Sequence, residues 1–177
     1  PYRLLFLGRI LPYKGLPLFV EAVELLRGRG VPVEAAVYGE GDLGTAGPRL
    51  AALGAEVVNR WLSVDEMASA LASADAVVLS HMSASQSGVA AAAFGSGTPV
   101  VATPVGGLVE QVRDGETGVL SRELTAASLA DAIERLVTDQ DLYRHIVSQL
   151  ESGSGERSMK RFIERVVELS VAGPGAR

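Results

Sequence analysis

The segment formed by residues 85–110, SQSGVAAAAFGSGTPVVATPVGGLVE, constrains the fold more than any other part of the chain. It places a glycine-containing turn before an alanine-rich helix, which Gly97-Thr98-Pro99, an apolar run and a second glycine turn then follow. In a parallel α/β sheet, the first turn lies at the carboxyl end of a strand and opens a helix. The unpaired N–H groups and partial positive charge of such a helix end can hold a phosphate. This order of pieces predicts a site for a nucleotide or a sugar phosphate.

Short apolar runs alternate along the chain with segments of helical periodicity. The predicted strands are residues 3–7, 31–38, 56–59, 75–80, a run that begins at residue 100, and 118–120. The predicted helices are residues 16–26, 43–53, one capped by Ser63 with Glu66, one that opens near Gln86, 108–112, 129–136 and 142–150. The alternation predicts the α/β class with a doubly wound, Rossmann-like parallel sheet. Ligands of such sheets bind outside the carboxyl ends of the strands.

The length of 177 residues predicts one domain, which we place at residues 1–150. Residues 151–156, ESGSGE, are the linker-like stretch, and Phe162, Val166 and Leu169 predict a last helix. Residues 151–177 are therefore predicted to be a linker and a C-terminal helix. The chain opens with Pro1-Tyr2 and enters a strand without a Met. We expect it to be cut from a longer protein.

The composition argues against several classes of protein. A net charge of −5 does not fit a nucleic-acid partner, which needs a basic face, so any anion site must be local. The chain has no Cys, which excludes disulfides and Cys-ligated zinc and fits a reducing compartment, so we expect a cytoplasmic location. The longest apolar runs fall far below the roughly 20 residues that span a bilayer.

Two basic residues flank the first strand-to-helix loop, on the ligand side of the predicted sheet. Arg9 offers a planar fork to phosphate oxygens, and Lys14 a movable point charge, so together they suit a diphosphate. The alternative is that both are solvated loop charges. The loop itself lacks the G-x-G-x-x-G spacing, and the chain has no G-x-x-x-x-G-K-[ST], which disfavours a dinucleotide fold and a P-loop.

Taken together, these pieces resemble the C-terminal, donor-binding domain of family 4 (group 1) glycosyltransferases with the GT-B architecture. The fragments that carry the resemblance are FLGRILPYKGLPLFVEA, VYGEGD, LASADAVVLS, GSGTPVVATPVGGLVEQVRDGETGVL and LADAIERLV. The resemblance implies transfer of a sugar from a nucleotide-sugar donor to an acceptor, without a metal or a cofactor. It also implies an N-terminal acceptor domain, absent from this chain, through which the whole protein could associate peripherally with a membrane.

The resemblance also assigns residues. Arg9 and Lys14 match the two basic residues that hold the donor phosphates, directly after Gly8 at the end of the first strand. The helix opening at Ser87, Gly88 and Val89 matches the segment whose backbone amides face the diphosphate. The nucleobase is expected near the loop of residues 59–61, which contains Arg60 and Trp61.

One departure from the family pattern concerns a pair of glutamates that face the transferred sugar and the ribose of the donor. Their positions here hold Ala84 and Ala92, which have no side-chain oxygen to accept a hydroxyl hydrogen bond. Gln86 or Ser87 could supply a replacement polar contact. His81 follows the 75–80 strand at its ligand end and is a further candidate for a donor contact, or else a packed or surface histidine.

Three functions remain open at this point. The first is the donor-binding half of a glycosyltransferase, inactive by itself, in which Arg9 and Lys14 neutralise the leaving diphosphate. The second, motivated by Ala84 and Ala92, is a catalytically inactive glycosyltransferase-like binding module. The third is a sugar-nucleotide epimerase or a phosphorylase on the same architecture.

Overall fold

Six parallel strands form one sheet in residues 1–153, the part of the chain that the computed structural model describes. The strands are β1 (Tyr2–Leu7), β2 (Val33–Tyr38), β3 (Glu56–Val58), β4 (Ala76–Leu79), β5 (Val100–Ala102) and β6 (Gly118–Leu120). The helices of the same range are α1 (Leu16–Gly28), α2 (Ala46–Ala52), α3 (Val64–Ala72), α4 (Gly88–Gly95), α5 (Leu108–Gln111), α6 (Ala126–Thr138) and α7 (Gln140–Gly153). The predicted α/β class with a parallel sheet is confirmed.

The strand order β3-β2-β1-β4-β5-β6 creates a switch point between β1 and β4. From β1 the chain continues through α1 to β2 on one side, and from β4 it continues through α4 to β5 on the other side. The two loops that leave the carboxyl ends of β1 and β4 therefore diverge and leave a crevice between them. Doubly wound sheets bind their ligands at this place.

Alternate side chains of each strand enter two separate cores, as the pleat requires. Leu4 and Phe6 pack on one face under α1, α2, α6 and α7, here called the α1 face. Leu5 and Leu7 pack on the opposite face, the α3 face, under α3, α4 and α5. Because both faces are covered, β4 is apolar throughout and β1 is apolar from Leu4 to Leu7.

Local capping interactions fix where several helices start. Ser63 and Glu66 form the predicted capping box at α3, in which the Ser63 hydroxyl accepts from the Glu66 N–H and the Glu66 carboxylate accepts from the Ser63 N–H. Thr125 accepts from the N–H of Ser128 at the start of α6.

Some predicted boundaries are wrong for identifiable reasons. β2 starts at Val33 and not at residue 31, because Pro32 has no N–H for the ladder. α2 starts only at Ala46, since the Asp42 carboxylate accepts from the N–H of Gly44 and holds a turn there. α7 continues to Gly153 and takes up the first three residues of the stretch predicted as a linker. The rest of that stretch and the predicted last helix lie outside the described residues.

We predict that Gly15→Ala destabilises the protein by at least about 2 kcal/mol more than Gly30→Ala. Both glycines have a left-handed backbone, with φ of 69° and 79°, so each alanine costs about 1–2 kcal/mol in strain. A Cβ at Gly15 would also lie 1.9 Å from the Ser80 carbonyl oxygen, whereas one at Gly30 would meet no atom within 4 Å. Urea unfolding of both variants measures the difference, and equal costs would contradict the close approach.

Candidate functional site

The loop after β1 is fastened to the end of β4 by backbone contacts. It contains one turn of 3-10 helix, Pro12–Lys14, which Pro12 favours by its fixed φ. The Ser80 hydroxyl donates to the Lys14 carbonyl oxygen at 3.1 Å, and the Met82 N–H donates to the Tyr13 carbonyl oxygen at 2.7 Å. These contacts cross the switch point and hold the loop against the neighbouring strand.

The Lys14 side chain turns inwards and meets His81. Its ammonium nitrogen lies 2.9 Å from His81 Nε2 and 5.5 Å from the centre of the Tyr13 ring. Burial lowers the pKa of the Lys14 ammonium, and the nearby charge of Arg9 lowers it further. His81 is only 3% exposed, and burial together with the Lys14 cation lowers its pKa to about 4. The imidazole is therefore neutral at pH 7.

The neutral ring of His81 leaves one nitrogen without a partner in residues 1–153. If the Lys14 ammonium donates to Nε2, the ring proton is on Nδ1, and this atom is buried and makes no hydrogen bond there. The Thr103 hydroxyl donates to the His81 carbonyl oxygen at 2.6 Å and so anchors the residue from β5. His81 thus contacts a site cation and is almost entirely buried; its contact with a donor stays a prediction.

Arg9 completes the basic pair. Its side chain is exposed, and within the described residues it makes no hydrogen bond and no ion pair. The Arg9 charge nevertheless acts on Lys14, so the two cations share one region of the ligand edge. Neither is neutralised by a carboxylate there, in contrast to Arg29 and Arg49, which pair with acids on the helices.

The N-terminus of α4 lies beside these cations. Ser87 caps the helix by accepting from the Ala90 N–H, and it is 2% exposed. The N–H groups of Gly88 and Val89 have no acceptor among residues 1–153. A Cβ on Gly8 would lie 3.5 Å from Val89, so the helix end directly adjoins the end of β1.

The contacts of Ser87 and Gln86 differ. The Ser87 hydroxyl is occupied by capping, so its part in this region is to shape the helix end. The Gln86 side chain is exposed and makes no hydrogen bond with the described part of the chain. Gln86 and Ser87 are the two residues predicted to replace the polar contact of the missing glutamates. Of these, Gln86 has a side-chain amide that makes no hydrogen bond in residues 1–153.

The loop after β5 supports the α4 helix end from the other side. The Gly107 N–H donates to the Ala84 carbonyl oxygen at 3.0 Å, and a Cβ at Gly107 would lie 1.6 Å from the Ser85 carbonyl oxygen. Only glycine permits this approach. The side-chain amide of Gln111 then bonds to both backbone groups of Ser87. The sequence did not single out Gln111 or Thr103, because their partners lie more than 20 residues away.

Arg60 and Trp61 follow β3, which is separated from β4 in the sheet by β2 and β1. Arg60 pairs with Glu66 at 2.6 Å and donates to the Trp61 carbonyl oxygen, and the Trp61 side chain is 59% exposed. Arg60 also borders a groove of about 520 Å³ on the α3 face, whose floor includes Tyr38 and Leu62. This groove lies beside the ligand edge and is separate from the switch point.

A G-x-G-x-x-G spacing occurs at residues 39–44, in the loop after β2 and not in the loop after β1. The N–H groups of its three glycines are already bonded within the protein. The N–H groups of Gly39, Gly41 and Gly44 donate to Val58 O, Asn59 Oδ1 and Asp42 Oδ1 at 2.9, 3.0 and 2.8 Å. The glycines therefore form a turn after β2, which the side-chain amide of Asn59 holds by hydrogen bonds to Gly41.

The structure brings most of the predicted residues together at one edge of the sheet. Within residues 1–153, Arg9 and Lys14 supply two cations without carboxylate partners, and Gly88 and Val89 supply two unpaired N–H groups. These are the donors that phosphate oxygens require. The fold and this edge define a Rossmann-like domain with a local basic crevice in an acidic chain.

Comparison with known proteins gives the family. A profile of the family described as "Glycosyl transferases group 1" matches residues 1–139. A "D-inositol 3-phosphate glycosyltransferase" of Arthrobacter sp. (strain FB24) is 40% identical over 146 residues, which are 78% of this chain and 35% of the relative. One from Paenarthrobacter aurescens (strain TC1) is 36% identical over 169 residues, 89% of this chain and 41% of the relative. The chain belongs to the group 1 glycosyltransferase family, as predicted, and spans less than half the length of these relatives.

Solved structures share the fold. The Anabaena protein Alr3699/HepE in complex with UDP-glucose superposes with a TM-score of 0.73 at 20% identity, covering 97% of this chain and 49% of that one. The C-terminal domain of a group 1 glycosyl transferase family protein (LpcC) from Francisella tularensis gives 0.71 at 24% identity, covering 84% and 82%. The predicted GT-B C-terminal fold is confirmed.

None of the helices in residues 1–153 is both long and apolar enough to cross a bilayer. The cytoplasmic location stays a prediction.

We predict that His81 titrates near pH 4 and that Lys14→Met raises its pKa without restoring the ordinary value of 6.5. The substitution removes the neighbouring cation, but burial, the larger cause, remains. Because the folded pKa lies below the unfolded one, stability due to His81 is complete above pH 6.5 and is lost as the pH falls towards 4.

NMR titration of the imidazole C–H signals measures this pKa. The chain has two histidines, so a His145→Gln variant assigns the signals and serves as the control. A His81 signal that titrates at 6.5 in the parent protein would contradict the buried pair with Lys14.

Proposed function

We propose that this chain binds the nucleotide-sugar donor of a glycosyltransferase through the donor's diphosphate. The observation that carries the proposal is the cluster of Arg9, Lys14 and the free N–H groups of Gly88 and Val89 at the switch point. Opposite sides of the crevice supply these groups, so a pyrophosphate between them could accept from both sides. The family membership and the shared fold support the same proposal.

The proposed chemistry is electrostatic. When the bond between the sugar and the diphosphate breaks, negative charge grows on the leaving phosphate oxygens. Donors that are already oriented around those oxygens stabilise the charge at no cost in reorganisation. Lys14 suits this role because burial lowers the pKa of its ammonium group in the free protein, and a bound anion would favour the charged form.

The nucleobase is proposed to lie near the loop after β3. Trp61 offers an exposed ring, and the Asn59 amide holds the adjacent Gly41 through two hydrogen bonds of 3.0 Å. Since only β2 and β1 lie between β3 and β4, a nucleoside there and a diphosphate at the switch point would extend along one edge of the sheet.

The acceptor is proposed to bind a part of the protein outside this chain, because the chain spans 35–41% of the relatives' length. Those relatives are named D-inositol 3-phosphate glycosyltransferases, so D-inositol 3-phosphate is the first acceptor to test with the full-length protein. From the family resemblance we also propose that the part of the full-length protein outside this chain associates peripherally with a membrane.

We predict that Arg9→Ala and Lys14→Ala each weaken binding of nucleoside diphosphates by about 1.5–3 kcal/mol, the usual worth of a hydrogen bond to a charged group. Calorimetry with UDP, GDP and ADP measures the effect. Arg144→Ala is the matched control, since Arg144 lies on α7 and its side chain is 73% exposed. Unchanged affinity in both site variants would remove the proposal.

A second candidate function is a binding module that does not transfer sugar. It is favoured by Ala84 and Ala92, which stand where the family pattern has carboxylates. Ala92 is 9% exposed and packs in the α3-face core, and the Ala84 carbonyl oxygen is already bonded to Gly107. Neither position offers a polar side chain to a bound sugar.

The two candidates separate by turnover of the full-length protein. For the transferase we expect release of nucleoside diphosphate from at least one donor of a panel of UDP, GDP and ADP sugars, with D-inositol 3-phosphate among the acceptors. Lys14→Ala should abolish most of that release, since its charge stabilises the leaving group. Tight nucleotide binding without release from any donor would favour the module.

A further inference from the structure

A reciprocal amide clamp joins α5 to the start of α4. Gln111 Oε1 accepts from the Ser87 N–H at 2.9 Å, and Gln111 Nε2 donates to the Ser87 carbonyl oxygen at 2.8 Å. Both bonds are partly buried and connect residues 24 positions apart. A side-chain amide is the group that can satisfy a peptide N–H and C=O together.

The clamp holds the residue that starts the helix. Ser87 is 2% exposed, so its N–H would be a buried unpaired donor without Gln111. The Ser87 hydroxyl accepts from the Ala90 N–H, and it cannot form a well-aligned hydrogen bond with the N–H of its own residue. Leaving such a group unpaired is costly, so the backbone at Ser87 would move to find another partner.

Movement at Ser87 would displace the two free amides of the site. Gly88 and Val89 follow directly, and Val89 lies against the end of β1 at Gly8. The direction of these N–H groups relative to Arg9 and Lys14 therefore depends on the position of Ser87. A misplaced donor loses much of its value to an anion, because hydrogen bonds weaken steeply with angle.

We infer that Gln111 is a positioning residue of the anion site: it orients the α4 helix end so that the Gly88 and Val89 N–H groups meet a diphosphate. The inference rests on the proposed function. Gln111 touches no ligand in this arrangement and acts through Ser87. It also gives α5 a role that neither the family resemblance nor the motif spacing assigns.

Two variants test the clamp with inorganic pyrophosphate and UDP as probes. Gln111→Met keeps the length of the side chain and removes both bonds. Gln111→Glu keeps the acceptor, but a carboxylate has no hydrogen to donate to the Ser87 carbonyl oxygen. We expect each variant to bind both probes about tenfold more weakly at pH 7.5 by calorimetry. Gln149→Glu, an exposed residue on α7, repeats the charge change away from the site.

The pH dependence of Gln111→Glu distinguishes positioning from a general loss of stability. A protonated carboxyl has one acceptor and one donor, as the amide has, so it can rebuild both bonds. We expect the tenfold deficit relative to the parent protein to shrink as the pH falls from 7.5 to 5, while the deficit of Gln111→Met stays constant. A purely structural role predicts lower melting temperatures with unchanged pyrophosphate affinity.

The outcomes separate this inference from the proposed function. If the parent protein fails to bind pyrophosphate and UDP, the proposed function fails and the inference falls with it. If the parent binds both, Arg9→Ala weakens binding, and Gln111→Met stays within twofold of the parent, the inference alone is overturned. Should Gln111→Met fail to fold, the pH-dependent recovery of Gln111→Glu decides: recovery supports the clamp, and its absence overturns it.

Discussion

The contact between the β1–α1 loop and the end of β4 is the constraint on which the candidate site depends. Gly15 approaches the Ser80 carbonyl oxygen so closely that no side chain fits, and the Ser80 hydroxyl bonds back to Lys14. Because the loop cannot lift away from β4, the Lys14 side chain reaches His81 and stays half-buried. The strand order alone creates the crevice, and this contact fixes the position of the Lys14 cation within it.

The charges around Lys14 distinguish it from most other basic residues of the described chain. Most described arginines of the helices and strands face a carboxylate, as Arg29 and Arg49 do. Lys14 instead faces a neutral imidazole and another cation, an arrangement that disfavours its own charge in the free protein. A group held in this way gains more from an arriving anion than a solvated lysine does, because less water has to be displaced. Since the net charge of the whole chain is −5, the positive potential is confined to this region.

The fold was predictable because its signals are local. Apolar runs such as residues 75–80 and the spacing of Phe19, Val23 and Leu26 report strand and helix without any knowledge of their partners. Arg9 and Lys14 could be placed at the ligand edge because every parallel strand ends there. Gln111 could not be found in this way, since its contacts with Ser87 depend on how two loops meet. The glycine spacing at residues 39–44 would mislead in the opposite direction. Its pattern is typical of a phosphate-binding loop, but the N–H groups of Gly41 and Gly44 already donate to Asn59 and Asp42.

The two alanines change what this crevice can recognise. Ala92 packs in the α3-face core, and Ala84 contacts Gly107 through its backbone, so the space near the α4 helix end is bounded by small apolar groups. The proposed phosphate recognition would not be affected, because it depends on cations and backbone N–H groups that need no particular side chain at either position. Recognition of sugar hydroxyls does depend on side-chain oxygens or amides, and among the residues around this helix end Gln86 has an exposed, unengaged amide. In the proposed function the two tasks are therefore separate: the cations and backbone N–H groups would hold the diphosphate, and few side chains of this chain would contact the sugar.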